Sequence, residues 1–282
     1  MSETTPRVQS LGPNRMLVAG RGGWLVANPN DTYVGAAVCR YGEYNYIESK
    51  LLAQLVQPGA VVVEGGANIG AHTLSLARAV GPGGRVIAFE PQPAVFYDLC
   101  AVAALNGLTQ IDARRQGLGR EPGWLQVDGQ DDPSRAHNAG GRSLATQGSG
   151  PAVPIVRLDD VFAEPGAPQR LDMIKLDVEG MEGEALAGAE GVIARHKPAL
   201  YVENDRIAHS EALIRQIWEL GYKLWWHKPA LFAADNYFGV SQNVYGRMIS
   251  LNMLALPDGV AHRVEGLQPV EDATYNPVAP RR

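Results

Sequence analysis

Residues 61–70 read Val-Val-Val-Glu-Gly-Gly-Ala-Asn-Ile-Gly, and residues 85–90 read Arg-Val-Ile-Ala-Phe-Glu. The first stretch is a β-branched run of the kind that favours a buried strand. It enters a Gly-rich turn and then a helix over 71–80. The second run is another strand, and it ends in an acid 20 residues beyond Gly70. Together these parts suit a nucleoside ligand. The glycines let the backbone approach, the helix start offers free N–H groups, and the acid can grip two ribose hydroxyls.

Gly65 and Gly70 have the outer spacing of the dinucleotide fingerprint Gly-x-Gly-x-x-Gly. Ala67 fills the middle place, where a glycine lets a pyrophosphate come close. That substitution favours S-adenosylmethionine, which has no phosphate, over NAD. A plain strand-to-helix turn would account for the glycines alone, because glycine takes φ > 0 readily. It does not account for the acid on the following strand.

The chain has 282 residues, enough for one large or two small domains. With 45% hydrophobic and 20% charged residues it reads as an ordinary globular protein. A net charge of −5 argues against general nucleic-acid affinity. No apolar run approaches bilayer length, and residues 1–6 show no basic-then-apolar leader. Cys39 and Cys100 give neither metal spacing nor a disulfide framework, so a cytoplasmic location is expected.

The organisation reads as an N-terminal β hairpin extension over 1–40, a main domain over 41–257 and a C-terminal tail over 258–282 whose end is expected to be mobile. Gly22-Gly23 supplies the hairpin turn. The hairpin is expected to cover one edge of the main domain and to offer an edge for homo-oligomer pairing. A helix over 45–56, strands at 60–64, 85–89 and 111–115, and a helix opened by Pro93 follow. Apolar strands alternating with amphipathic helices imply an α/β domain with a parallel sheet covered on both faces. Residues 128–150 are polar and Gly-rich, and are read as a substrate lid. Beyond them come a strand ending at Asp177, one helix through Leu186, Ala189, Val192 and Ile193, and a strand ending at Glu203. A helix capped by Ser210, a strand over 222–226, an irregular aromatic segment over 227–247 and a last strand over 249–256 complete the pattern.

Acids are depleted in strands, yet Glu64, Glu90, Asp177 and Glu203 each end or follow an apolar strand. In an open parallel sheet these ends share one crevice. Four acids there repel one another unless a cation or hydrogen-bond donor joins them. S-adenosylmethionine brings a sulfonium, an ammonium and ribose hydroxyls, and so complements the set.

At this point the residues match a family. The fragments are Gly42-Glu43-Tyr44, Glu64-Gly-Gly-Ala-Asn-Ile-Gly-Ala-His-Thr73, Phe89-Glu90-Pro91, Asn138-Ala-Gly-Gly-Arg-Ser-Leu144, Leu158-Asp159, Ile174-Lys-Leu-Asp-Val-Glu-Gly-Met-Glu182, Asn236-Tyr-Phe-Gly-Val and Asn252-Met-Leu. In this order, over roughly residues 31–257, the chain resembles the FkbM-type S-adenosylmethionine-dependent methyltransferases. The resemblance implies a doubly wound, Rossmann-like, mostly parallel sheet closed by a late antiparallel strand. It also implies methyl transfer to oxygen, typically a hydroxyl of a sugar, a glycan or a polyketide-like natural product. The family often has Asp at the place of Glu64 and a larger apolar residue at the place of Gly65.

The expected cofactor contacts follow from this arrangement. Gly66, Ala67 and Gly70 form the turn under the methionine part. Asn68 takes the left-handed backbone or bonds the cofactor carboxylate, and Thr73 binds that carboxylate. His72 either lines the site or packs. Glu64 lies near the amino group, Glu90 binds both ribose hydroxyls, Gln116 lies by adenine, and Asp177 lies near the transferable methyl. Asp177, Glu203 and Asn204 resemble the magnesium arrangement of some catechol and sugar O-methyltransferases, and such oxygen ligands suit Mg²⁺. A metal there would lower the pKa of the acceptor oxygen. Without one, a base is needed, and His227 (near neutral by type) and Asp177 are the rivals. The catalytic candidates are therefore Asp177, His227 and Glu203. Trp225 and Trp226 are candidates for stacking on a sugar, and Tyr237, Phe238 and Asn243 for shaping the acceptor pocket. The competing readings are an N-methyltransferase on a peptide or amino-sugar, an NAD-dependent oxidoreductase, and a non-catalytic nucleoside-binding protein.

Overall fold

In the computed structural model, which describes residues 7–129 and 132–279, the chain opens with β1 (Val8–Gly12), β2 (Arg15–Ala19) and β3 (Trp24–Ala27). They form an antiparallel sheet in the order β1-β2-β3. The expected hairpin is thus a three-stranded meander, and it is followed by a helix the sequence reading missed, α1 (Val34–Tyr41). Asp31 starts this helix from outside, its Oδ2 accepting the Gly35 N–H at 2.7 Å. α1 crosses the expected boundary at residue 40. Its Val34 and Val38 share one apolar cluster with Val18 and Leu25 of the meander and with Val62 and Val86 of the main domain. The described part of this N-terminal segment is therefore packed into the main core.

The main domain continues through α2 (Tyr46–Leu55), β4 (Val61–Gly65), α3 (Ala71–Val80), β5 (Arg85–Phe89), α4 (Pro93–Leu105) and β6 (Ile111–Arg114). Four short strands follow: β7 (Gly117–Leu118), β8 (Gly123–Val127), β9 (Leu144–Ala145) and β10 (Ala152–Val156). The chain then forms α5 (Leu158–Val161), β11 (Met173–Leu176), α6 (Glu182–Ala187), α7 (Glu190–His196), β12 (Ala199–Glu203) and α8 (Ile207–Glu219). It ends with β13 (Tyr222–His227), β14 (Asn252–Pro257) and β15 (Gln268–Pro269). The large sheet has the order β15-β13-β14-β12-β11-β4-β5-β6. β4, β5, β6, β11 and β12 pair in parallel, and β14 runs antiparallel to both β12 and β13. This is the doubly wound sheet with a late antiparallel strand. The winding reverses between β4 and β11, which is where such sheets bind ligands.

Side chains alternate across β4, as a strand period of two requires. Val61 and Val63 join one core cluster with Leu186, Ile193 and Ile214. Val62 joins the other, with Leu74, Val80 and Leu99. Among the described residues, no helix is long and apolar enough to cross a membrane.

Several expectations change. The single helix through Leu186 and Ile193 is two, α6 and α7, broken at Gly188-Ala189. A Cβ on Gly188 would stand 2.0 Å from the Gly119 carbonyl oxygen, so the break follows a close backbone crossing. Ser210 lies inside α8 and does not cap it; its Oγ accepts a hydrogen bond from Asn276 Nδ2 at 3.1 Å. The expected mobile end of the tail, residues 280–282, lies outside the described residues; ahead of it β15 pairs on the edge of β13 and Asn276 is buried. Within 128–150, of which residues 130 and 131 lie outside the described residues, β9 joins the small sheet β7-β10-β8-β9. There Ala139 is docked, its N–H donating to Asp31 Oδ1 at 3.2 Å and its carbonyl accepting from Gln92 Nε2 at 2.7 Å.

Candidate functional site

β4 ends at Gly65, and the chain must turn beneath the end of β11. Gly66 does so at φ 75°, and a Cβ there would stand 1.8 Å from the Asp177 carbonyl oxygen. Only glycine lets these two strand ends meet so closely. Asn68 takes the left-handed backbone (φ 51°), and its Oδ1 accepts the Ile69 N–H at 2.7 Å. Its own N–H donates to Glu90 Oε2 at 2.9 Å, while the Gln92 N–H donates to Glu90 Oε1 at 2.9 Å. Two turns thus fix one carboxyl group. Burial still pushes Glu90 up to about 7, against the pull of those two N–H groups.

A cleft of about 490 Å³ opens at this point. Gly66, Ala67, Asn68 and Glu90 line one side, and Tyr44, His72, Lys175, Asp177 and Glu203 also line it. Val34, Leu231, Met248, Ile249, Leu251 and Val278 add an apolar wall. A narrower pocket shares Gly66, Glu90 and Asp177 with the cleft and runs between Phe89, Pro91, Gln116, Leu118 and Met181. Gln116 lines this narrower pocket.

Glu64 and Thr73 do not line the cleft. Glu64 is 0% exposed and accepts a hydrogen bond from Thr73 Oγ1 at 2.6 Å. β4 continues one residue past Glu64, so this acid belongs to the strand rather than to its end, opposite Lys175 in register. Burial pushes it up to about 7. Gly70 serves the turn ahead of α3 and does not line the cleft either.

His227 is also displaced from its expected role. β13 lies beyond β14 in the sheet, and His227 Nδ1 is 2.7 Å from the Tyr201 hydroxyl, away from the cleft lining. Burial takes its pKa down to about 4. Trp226 is core, 1% exposed. Tyr237, Phe238 and Asn243 do not line the cleft; Asn243 Nδ2 donates to Gly246 of its own loop at 2.7 Å.

The magnesium expectation fails on its donor set. Asn204 turns its amide to the Met253 sulfur at 3.2 Å and does not reach the cleft. Among the described residues, no group of three or more His, Cys, Asp or Glu could hold a metal ion. A cation already stands beside Asp177: the Lys175 ammonium, 3.4 Å from Asp177 Oδ2.

Lys175 and Glu48 were missed at the sequence level. Lys175 is 1% exposed. Burial opposes its charge, but Asp177, Glu64, Glu48 and Glu203 outweigh burial and hold it above the usual lysine range. Glu48 is pushed up to about 7 by burial. Its Oε2 accepts from Asn45 Nδ2 at 2.6 Å and Asn252 Nδ2 at 3.3 Å. Its Oε1 is 3.4 Å from Nε2 of His72, whose Nδ1 is 2.9 Å from Ser49 Oγ. His72 therefore both lines the cleft and packs. Glu203 is raised well above the usual carboxyl range by burial and then by the nearby charge of Asp177.

The sequence profile of the Methyltransferase FkbM domain matches residues 64–224. The chain is 28% identical over 145 residues to Methyltransferase 1 of Beauveria bassiana (strain ARSEF 2860), covering 46% of this chain and 58% of that protein. It is 31% identical over 156 residues to Methyltransferase sdnD of Sordaria araneosa, covering 46% of this chain and 60% of that protein. The chain thus spans somewhat over half the length of these curated relatives. Among solved structures, methyltransferase FkbM from Methylobacillus flagellatus KT is 18% identical, with a TM-score of 0.46 over 78% of this chain and 60% of that one. The O-methyltransferase from Bacillus cereus, solved in complex with SAH, is 16% identical, with a TM-score of 0.45 over 75% of this chain and 80% of that one. The family profile covers more than half of the sequence, and the chain belongs to the family of the Methyltransferase FkbM domain.

Proposed function

We propose that this protein is an S-adenosylmethionine-dependent O-methyltransferase acting on an uncharged hydroxyl of a small acceptor, a glycan or a polyketide-like natural product. The observation that carries this reading is the place of Asp177, which with Glu90 lines both the wide cleft and the narrow pocket. Glu90 would hold the ribose hydroxyls, the Gln116–Leu118 stretch the adenine, and the Ala67–Asn68 turn the methionine end. When bound, the cofactor supplies an electrophilic methyl on a sulfonium. The chain's own residues orient the acceptor and take its proton. An aliphatic hydroxyl is a weak nucleophile at neutral pH, so its proton must pass to Asp177 as the new bond forms. Alignment supplies most of the remaining advantage.

Ala67, 3% exposed at the place of a pyrophosphate-admitting glycine, supports S-adenosylmethionine over NAD. The aliphatic wall supports an acceptor with an apolar body beside its hydroxyl. Among the described residues, Glu90, Asp177, Glu179, Glu203 and Asp205 line the cleft against Lys175 and Arg206, which disfavours phosphate-bearing acceptors, nucleic acid included.

Calorimetry with S-adenosylhomocysteine and with NADH tests the cofactor. Heat with the first and none with the second is expected; the reverse sinks the reading. Mass spectrometry for methylated products, after incubation with paired hydroxyl and amine acceptors, tests the atom. Faster turnover of the amine would move the reaction to nitrogen.

A further inference from the structure

The run Asn138-Ala-Gly-Gly has no role in the function proposed above, yet Asn138, Gly140 and Gly141 line the cleft. Its main chain is held on both sides of Asn138. The His137 carbonyl accepts the Thr32 N–H and the Thr32 hydroxyl, each at 2.8 Å. The His137 N–H donates to the Asn30 carbonyl at 3.1 Å. Ala139 is tied to Asp31 through its N–H and to the Gln92 side chain through its carbonyl. The Gln92 N–H in turn holds Glu90. Residues 138–141 thus form a strap fixed to the N-terminal segment and to the turn after β5.

Neither Gly140 nor Gly141 takes a positive φ, so backbone conformation does not demand glycine at either place. Space does. A Cβ on Gly140 would stand 2.5 Å from Asn68 Nδ2, and one on Gly141 would stand 2.1 Å from Asn138 Nδ2. Two carboxamides occupy the room that two side chains would take. Their orientation is set at oxygen: Asn68 Oδ1 accepts the Ile69 N–H at 2.7 Å, and Asn138 Oδ1 accepts the Gly141 N–H at 3.0 Å. Each amide keeps an NH₂ group with two donors. Neither NH₂ has a hydrogen-bond partner among the described residues, and both asparagines line the cleft.

The surrounding charges say what such donors can serve. S-adenosylmethionine ends in an amino acid, with an ammonium and a carboxylate on one carbon. The acids along the cleft attract the first and repel the second. Lys175 and Arg206 also line the cleft, but Lys175 is paired with Asp177, and Arg206 with Glu179 and Asp205. Uncharged donors remain for the carboxylate. We propose that Asn68 and Asn138 together bind the cofactor carboxylate, and that Gly140 and Gly141 are small so that both amides fit at the cleft wall. The proposal rests on the cofactor reading given above. It gives the strap to the cofactor, where the sequence alone suggested a lid for the acceptor. Because residues 137 and 139 are anchored, little main-chain freedom is left for binding to remove.

Calorimetry with S-adenosylhomocysteine and with methylthioadenosine tests the site. The second ligand keeps the adenosine and a thioether but lacks the amino-acid end. Asn138→Asp keeps an oxygen for the Gly141 N–H and replaces the NH₂ with a charged oxygen. It is expected to weaken S-adenosylhomocysteine by about 10- to 100-fold, the worth of a hydrogen bond to a charged group, and to leave methylthioadenosine unchanged. Gly140→Ala adds no charge and drives a methyl group into the Asn68 amide, so a smaller loss with the same selectivity is expected. Selective loss in both variants supports the proposal. Equal loss for the two ligands would make the strap a purely structural element, and unchanged S-adenosylhomocysteine affinity in either variant would dissolve the amide pair; each overturns the proposal. A wild-type protein that binds the two ligands equally well overturns this proposal alone. One that binds neither removes the cofactor reading, and this proposal with it.

Discussion

Asn68 and Gln92 hold Glu90 with main-chain N–H groups, whereas Val34, Met248, Ile249 and Val278 shape the opposite wall with side chains drawn from distant parts of the chain. The first side is a backbone construction, compact in sequence and set by where two parallel strands end. The second is assembled from α1, the segment before β14 and the tail. A side held by backbone tolerates little change, because its geometry is also the geometry of the sheet. A wall held by side chains can be altered residue by residue with the fold intact. On the function proposed above, cofactor recognition would be built into the sheet, while acceptor choice would be decorated onto it.

The largest expected effect is at Gly66. Gly66→Val forces a side chain into the Asp177 carbonyl and is expected to cost roughly 3 kcal/mol or more, as read by urea unfolding. Wild-type stability in that variant would break the comparison at its root. Next comes Asp177→Asn, expected to lower kcat by about 10²–10⁴-fold. Calorimetry on the same variant should show S-adenosylhomocysteine still binding. Glu90→Ala should weaken that ligand by about 10- to 100-fold, the worth of one or two charged hydrogen bonds. Unchanged affinity would mean that the β5 end does not hold the ribose.

A fourth prediction concerns pH. Glu64 stands at about 7 in the folded chain against an ordinary 4.5. Because the folded value is raised, its contribution to stability is full below about 4.5 and is lost as pH rises through about 7. Glu64→Gln stays uncharged and should flatten the urea midpoint across that window. Equal slopes in the two proteins would remove Glu64 from the account. The smallest effect is expected at the wall: Met248→Ala, on a half-exposed side chain, should change stability by less than about 0.5 kcal/mol. The acceptor KM should nevertheless move severalfold, and an unchanged KM would place the acceptor elsewhere.

The β4 turn was legible because its signals are local. Gly66, Asn68 and Glu90 carry out their roles within a few residues of a strand end, so residue type and spacing suffice to place them. Glu64 was misread by one position, since sequence alone does not say whether a strand stops before or after a glycine. α1 was missed because its helix start is served by Asp31, several residues outside it. Lys175 carried a visible signal, a lysine inside the apolar run Met173–Leu176, but its meaning depends on Glu48 and Glu203 from distant elements. His227 and Asn204 have suitable chemistry, yet their neighbours Tyr201 and Met253 claim them. Such competition is tertiary and leaves no trace in spacing.

Asn276 bonds Ser210 at 3.1 Å and the Asn204 carbonyl at 3.5 Å, and two residues later Val278 faces the cleft. Anyone preparing this protein inherits a practical constraint. Trimming the chain ahead of Asn276 would unlatch α8 from the segment behind it and take away part of the apolar wall of the cleft.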